Sequence, residues 1–334
     1  MLSPVNPDPE HFAATNHISL TTNHSPNRRA VIDIGTNSVK LLVADVSPDA
    51  TEPVWEGSEQ TRLGRGFYED HRLRPDAIAD TARVAAHFVR RAREQGAASV
   101  RIIATSAARD AVNAEELLAA LHGACGQAVE VISGEQEADW AFQGVMTDAS
   151  LRGQPALILD VGGGSTEFIL GDAGVSVFRQ SFKLGTVRLL EATPHADPPT
   201  AGELSAVRAQ VRDFLDREVR PHIGAYLTAT CREKLVLVGT GGTTSILARL
   251  ELQLPTYDRE RIEAASFTAE RVRWHVEQLW QMPLAQRSEL PGLPANRADV
   301  ILFGAVIYEA VMETFGIGTL RVSTRGLRFA AVQK

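Results

Sequence analysis

The chain has 334 residues, 44% of them apolar and 22% charged, and a net charge of −7. That length corresponds to roughly two domains at ~150 residues each, and the composition excludes a disordered chain, a collagen-like fibre and a coiled coil. The acidic balance argues against broad binding to nucleic acid or an anionic membrane, and no apolar run reaches the ~18 residues of a bilayer span.

The two cysteines, Cys125 and Cys231, make neither a disulfide framework nor a CxxC metal clip. No charged segment followed by an apolar stretch opens the chain, so the expected compartment is the cytoplasm. Basic character rests on arginine, since lysine occurs only at positions 40, 183, 234 and 334. Between Arg62 and Arg109, ten arginines stand against five acidic residues. Arginine-rich codon usage explains that excess as well as an anionic ligand does, although the guanidinium fork suits such a ligand.

Residues 1–27 are rich in Pro, Asn, His and Thr without periodicity and read as a loose tail. Strand and helix patterns then alternate, which predicts an α/β fold. Residues 30–46 read as a hairpin, and Pro75 opens a helix to residue 93 that buries Ile78, Ala82, Ala85, Phe88, Val89 and Ala92. A strand over 100–104, a helix over 108–122 and a strand over 129–132 follow. Ser133 caps a helix over 135–146. Gly153 and Pro155 then mark a domain boundary near residue 150.

The second half repeats the theme, with a hairpin over 156–171 and a third strand over 175–181. A helical stretch covers 201–225, a strand 235–238 and a helix 243–252. Helices over 268–281 and 298–314, a strand over 320–323 and a short terminal helix complete the chain.

Two segments align without a gap. Val31-Ile32-Asp33-Ile34-Gly35-Thr36-Asn37-Ser38 lies over Ile158-Leu159-Asp160-Val161-Gly162-Gly163-Gly164-Ser165, each residue 127 positions from its counterpart. Each is a strand, an aspartate, a Gly-rich turn, a serine and a second strand. Glycine lets successive backbone N–H groups converge on one point, which makes a nest for phosphate oxygens. The aspartate at the strand end suits a divalent cation or a metal-bound water. Two such hairpins related by pseudo-symmetry would grip one phosphoryl group from both sides. Two unrelated hairpins would not be expected to share so regular an offset.

A third Gly-rich turn, Gly239-Thr240-Gly241-Gly242-Thr243-Thr244, leads from a strand into a helix, with Gly241 its candidate phosphate contact. It is neither a Walker A motif nor a GxGxxG fingerprint. Glu135, Glu137 and Asp139 cluster at a helix start, where acids suit the helix dipole; a carboxylate there, aimed between the hairpins, would also deprotonate an attacking water. Arg109 is expected to begin a helix, against the dipole, so it serves either a phosphate or a carboxylate such as Asp110 or Glu115. Lys40 adds a charge beside the first turn or is a solvated strand lysine.

Together with Ala104-Thr105-Ser106-Ala107-Ala108-Arg109-Asp110-Ala111, Ile132-Ser133-Gly134-Glu135-Gln136-Glu137-Ala138, Leu159-Asp160-Val161-Gly162-Gly163-Gly164-Ser165-Thr166-Glu167 and Val322-Ser323-Thr324-Arg325-Gly326-Leu327-Arg328, the first hairpin motif resembles the exopolyphosphatase/guanosine pentaphosphate phosphohydrolase (Ppx/GppA) family. The motifs run in the family's order across residues 30–330. The resemblance implies two RNase H-like domains of the actin-like ATPase superfamily, 28–150 and 151–334, with a cleft between them and the terminal helix able to pack back on the first. It further implies phosphoanhydride hydrolysis assisted by Mg²⁺ or another divalent cation. Glu137 would be the base that activates water. Asp160 and Glu167 would bind the metal or order the nucleophile, with Asp33 a further metal candidate. Gly35, Thr36, Asn37, Ser38, Gly162, Gly163, Gly164 and Ser165 would hold the terminal phosphate, Arg109 would clamp it and Lys40 would add charge.

No His-Asp dipeptide occurs, so the chain looks like the short, two-domain form of the family. A long polyphosphate channel would then call for the family's additional C-terminal domain or a homodimer. The expected function is release of orthophosphate from inorganic polyphosphate, with guanosine pentaphosphate hydrolysis the nearest alternative. An actin-like kinase or ATPase and a non-catalytic polyphosphate sensor are the more distant ones.

Overall fold

Alternating β-branched runs on either side of the first glycine turn form an antiparallel hairpin, β1 (Arg28–Ile34) and β2 (Ser38–Val46), with Asp33 directly opposite Lys40. In the computed structural model, which describes residues 27–48, 50–151, 153–172, 174–227 and 235–334, this hairpin opens a five-stranded sheet. Its order is β3-β2-β1-β4-β5, with β3 (Thr51–Gln60) antiparallel to β2, and β4 (Ser99–Ala104) and β5 (Glu130–Val131) running parallel to β1. The expected tail, save Asn27, and Cys231 lie outside the described residues.

The second half builds the same order again. β6 (Ala156–Val161), β7 (Thr166–Asp172) and β8 (Val175–Phe182) form an antiparallel set. β9 (Val236–Thr240) and β11 (Thr319–Val322) then add in parallel, and β10 (Ser266–Thr268) closes the far edge. The duplicated hairpin is therefore the visible part of a duplicated sheet, which is the α/β architecture that the resemblance implies.

Parallel neighbours need crossover helices, and these carry the core. Pro75–Glu94 starts with proline at its first turn, where a missing N–H costs nothing, and buries the six apolar residues that its spacing predicts against the first sheet. Ile301–Phe315 is buried almost all round, which fits its position inside the larger core of the second half. Each fully buried Leu, Ile or Phe there contributes on the order of 1.5–3 kcal/mol.

Two helices exchange sides. Gly134–Val145, capped by the Ser133 hydroxyl accepting from Gln136 N–H at 3.1 Å, packs Ala138, Ala141, Phe142 and Val145 on the second sheet while Trp140 joins the first. The terminal helix Leu327–Ala331 returns to the first sheet, burying Phe329 among Val31, Leu42, Ala44 and Ile103. Where these helices meet, a Cβ on Gly144 would stand 2.1 Å from the Gly326 carbonyl oxygen, so only glycine fits.

One expected helix is two. Residues 108–122 divide into Ser106–Asp110 and Ala114–Cys125, with Ala111 extended between them. The Asn113 side chain accepts from Leu73 N–H at 2.8 Å and donates to Leu73 O at 3.0 Å, imitating a backbone pair that a continuous helix would forbid. Arg109 consequently falls in the last turn of a short helix, where a cation suits the dipole, and the expected conflict at a helix start disappears. Among the described residues no helix is long and apolar enough to cross a membrane.

Candidate active site

The two glycine turns meet. Gly35 N–H donates to Ser38 O at 3.0 Å and Gly162 N–H to Ser165 O at 2.9 Å, so both bends close in the same way. Thr36 of the first turn touches the second: a Cβ on Gly163 would lie 3.1 Å from Thr36 Cβ, and one on Gly164 3.0 Å from Thr36 Oγ1. Side chains at Gly163 and Gly164 would push the bends apart, whereas a Cβ on Gly162 would crowd Ser165 O of its own bend at 2.9 Å.

Beside this junction is a cavity of about 90 Å³. Its walls include Asp33, Gly35, Thr36, Asn37, Ser38 and Lys40 from the first hairpin, and Asp160, Gly162, Gly163, Gly164, Ser165 and Glu167 from the second. Glu137 reaches it from the first turn of Gly134–Val145. Arg109 does not line the cavity. It stands behind Glu137, donating from Nη1 to Glu137 Oε2 at 3.1 Å and to Ile132 O at 3.0 Å, so its carboxylate partner is neither Asp110 nor Glu115. Gly241 also lies outside the walls. At φ +92°, it packs where a Cβ would stand 2.5 Å from Asp160 Oδ1, while Gly242 and Thr243 of the following helix line the cavity.

Four carboxyl groups share this space, and burial dominates their ionisation. Glu137 is 6% exposed, Glu167 2% and Asp33 5%. Burial, then the charge of Glu167, holds Glu137 well above the usual carboxylate range. Burial, then Asp160, pushes Glu167 up to about 7, against hydrogen bonds to its Oε1 from Ser181 at 2.7 Å and Ser165 at 3.0 Å. Burial raises Asp33 and Asp160 as well, each eased by the Lys40 charge, and burial in turn lowers Lys40. Asp33 Oδ1 and Asn37 Nδ2 are buried with no hydrogen-bond partner, although Asn37 Oδ1 accepts from Gln60 Nε2 at 2.9 Å. One orphan suits a cation and the other an anion.

Sequence reasoning missed Arg297. It sits on a single 3₁₀ turn, Ala295–Arg297, lines the cavity and donates to the Ser38 hydroxyl. Burial depresses its ionisation to about 10. Its only sequence signal is one more arginine in an aperiodic segment, so nothing short of the fold reveals it. Arg62 pairs with Asp299 at 2.8 Å on the same flank, tying the halves together.

Residues 42–330 match the Ppx/GppA phosphatase family. The chain is 35% identical over 309 residues to exopolyphosphatase 2 of Mycobacterium tuberculosis, an alignment covering 89% of this chain and 94% of that one. The chain belongs to the Ppx/GppA family. Among solved members of the family, the Aquifex aeolicus protein superposes with a TM-score of 0.73 at 30% identity, covering 92% of this chain and 96% of that one. An exopolyphosphatase from Cytophaga hutchinsonii superposes with a TM-score of 0.80 at 25% identity, covering 91% and 96%. The guanosine-5'-triphosphate,3'-diphosphate pyrophosphatase of Aeromonas hydrophila is 28% identical over 91% of this chain, which spans 58% of that relative.

Proposed function

We propose that this Ppx/GppA protein is an exopolyphosphatase that releases terminal orthophosphate from inorganic polyphosphate. The observation that carries this reading is the contact of the two glycine turns beside a cavity walled by Glu137, Asp160 and Glu167. The Gly35 and Gly162 amides close their own bends, so the amides that follow in each turn, the Asn37 side-chain amide, Lys40 and Arg297 receive the terminal phosphoryl oxygens. Glu137 is the general base. Burial and the Glu167 charge raise its affinity for a proton, which strengthens it as a base, and Arg109 aims the carboxylate and limits the rise.

Asp33, Asp160 and Glu167 fit a divalent cation in a particular way. Among the described residues no group of three His, Cys, Asp or Glu side chains forms a ready-made metal cluster. Mg²⁺, however, is held by one or two carboxylates together with substrate phosphate, and the partnerless Asp33 Oδ1 beside Asp160 offers that donor set. When bound there, the cation would neutralise charge developing on the transferred phosphoryl group. Glu167, held by two serines, orders the water or supplies a further oxygen ligand.

The Aeromonas relative's name supports a second reading, hydrolysis of guanosine pentaphosphate at the same site. The reading further includes a division near residue 150, a cytoplasmic location and a homodimer. Phosphate release from long polyphosphate, tripolyphosphate, guanosine pentaphosphate and ATP, with Mg²⁺ or chelator, tests it. Polyphosphate turnover that requires the cation and falls on the order of 10²–10⁴-fold in Glu137→Gln is expected. Full activity of Glu137→Gln refutes the base, and ATP turnover dependent on an added acceptor, with polyphosphate inert, replaces the hydrolase by a kinase.

A further inference from the structure

Tyr68 belongs to none of the motifs above, and its hydroxyl is buried, approached by the Thr36 hydroxyl but in no well-formed hydrogen bond. It lies on a single helical turn of the first half, Phe67–Asp70, but the second half holds it. Glu191 accepts from Gly66 N–H at 2.6 Å and from Tyr68 N–H at 3.3 Å. The Arg188 guanidinium covers the tyrosine ring at 4.1 Å, and Arg188 Nε donates to Gly164 O at 3.0 Å. Both residues come from the helix Thr186–Ala192.

These contacts bring the phenol to the second glycine turn. A Cβ on Gly164 would stand 2.6 Å from Tyr68 Oη, 2.6 Å from Ser106 Oγ and 3.0 Å from Thr36 Oγ1. Three hydroxyls of the first half thus ring one backbone position of the second; Gly164, Ser106 and Thr36 wall the cavity, and Tyr68 stands against them just outside it. If the ring served packing alone, phenylalanine would serve as well, without burying a donor whose contact with the Thr36 hydroxyl falls short of a well-formed bond.

Resting on the reading that polyphosphate binds between the turns, we propose that the Tyr68 hydroxyl is a substrate-binding donor to a non-bridging phosphate oxygen, set in place by Arg188 and Glu191 when the halves close. Burial holds the phenol at about 12, so it is a donor at any working pH.

The test is Tyr68→Phe, which keeps the ring under Arg188 and removes one oxygen. KM for long-chain polyphosphate is expected to rise about tenfold or more, the usual weight of a hydrogen bond to a charged group, with a smaller change in kcat. The melting temperature is expected to stay or rise. In the Glu137→Gln background, the Kd for polyphosphate measured without turnover should weaken by the same factor when Tyr68→Phe is added. KM and Kd within twofold of the parents, or a loss of kcat alone, overturns the proposal while leaving the hydrolase reading intact. Turnover persisting in Glu137→Gln removes the base and leaves the KM comparison to decide the Tyr68 proposal, and failure of the wild type to bind polyphosphate overturns both.

Discussion

Lys40 occupies in the first hairpin the place that Glu167 occupies in the second. Asp33 faces Lys40 across β1 and β2, and Asp160 faces Glu167 across β6 and β7. The repeat therefore sets two opposite charges across one hairpin against two like charges across the other. Directly opposed like charges destabilise a ladder, and here that repulsion is retained inside a cavity, where phosphate chemistry needs oxygens.

The pH dependence of stability follows from the Glu167 carboxyl. Its folded value, about 7, lies above the ordinary 4.5, so the folded state binds this proton more tightly than the unfolded chain. The associated stability is present below pH ~4.5 and is lost as pH rises through ~7. In chelator, the melting temperature of wild type relative to Glu167→Gln should fall between pH 5 and pH 8, and Mg²⁺ should flatten the difference. A pH-independent gap would contradict this.

Arg109 acts on rate through Glu137. Its charge and hydrogen bond pull the carboxyl down against the larger effect of burial, so Arg109→Met should raise the affinity of Glu137 for its proton. The acid limb of the pH–rate profile for phosphate release is then expected to move to higher pH, with partial recovery of rate in alkaline buffer. An unmoved limb would show that Arg109 serves only to fix position.

Gly144→Ala tests the crossing of the exchanged helices. The added methyl would meet the Gly326 carbonyl, part of a backbone that cannot rotate away. A loss of about 1–3 kcal/mol is expected, read as a lower denaturant midpoint at unchanged slope. A midpoint equal to wild type would mean that the terminal segment yields freely.

Much of the site is legible in the sequence because duplication writes it twice. The regular spacing of Asp33 with Asp160 and of Gly35 with Gly162 identifies the turns, and both reach the cavity. Features that depend on contacts between distant segments leave no such trace. β3 carries Pro53 and Gly57 within a half-buried edge strand, so neither alternation nor composition announces it. The interruption at 111–113 arises from Asn113 bonding to Leu73, forty residues earlier. Arg297 and Tyr68 matter through where their short turns dock, and Gly241 matters through the space it leaves for Asp160.

The return of the last helix to the first sheet bears on how the protein is made. Val31, Leu42, Ala44 and Ile103 are translated early, yet their cover, Leu327–Ala331, follows more than ~200 residues later. On the ribosome that apolar patch stays bare until Leu327–Ala331 emerges, so the amino-terminal half cannot finish folding as an independent early unit. A nascent chain stalled before Gly326 would be a ready client for a chaperone.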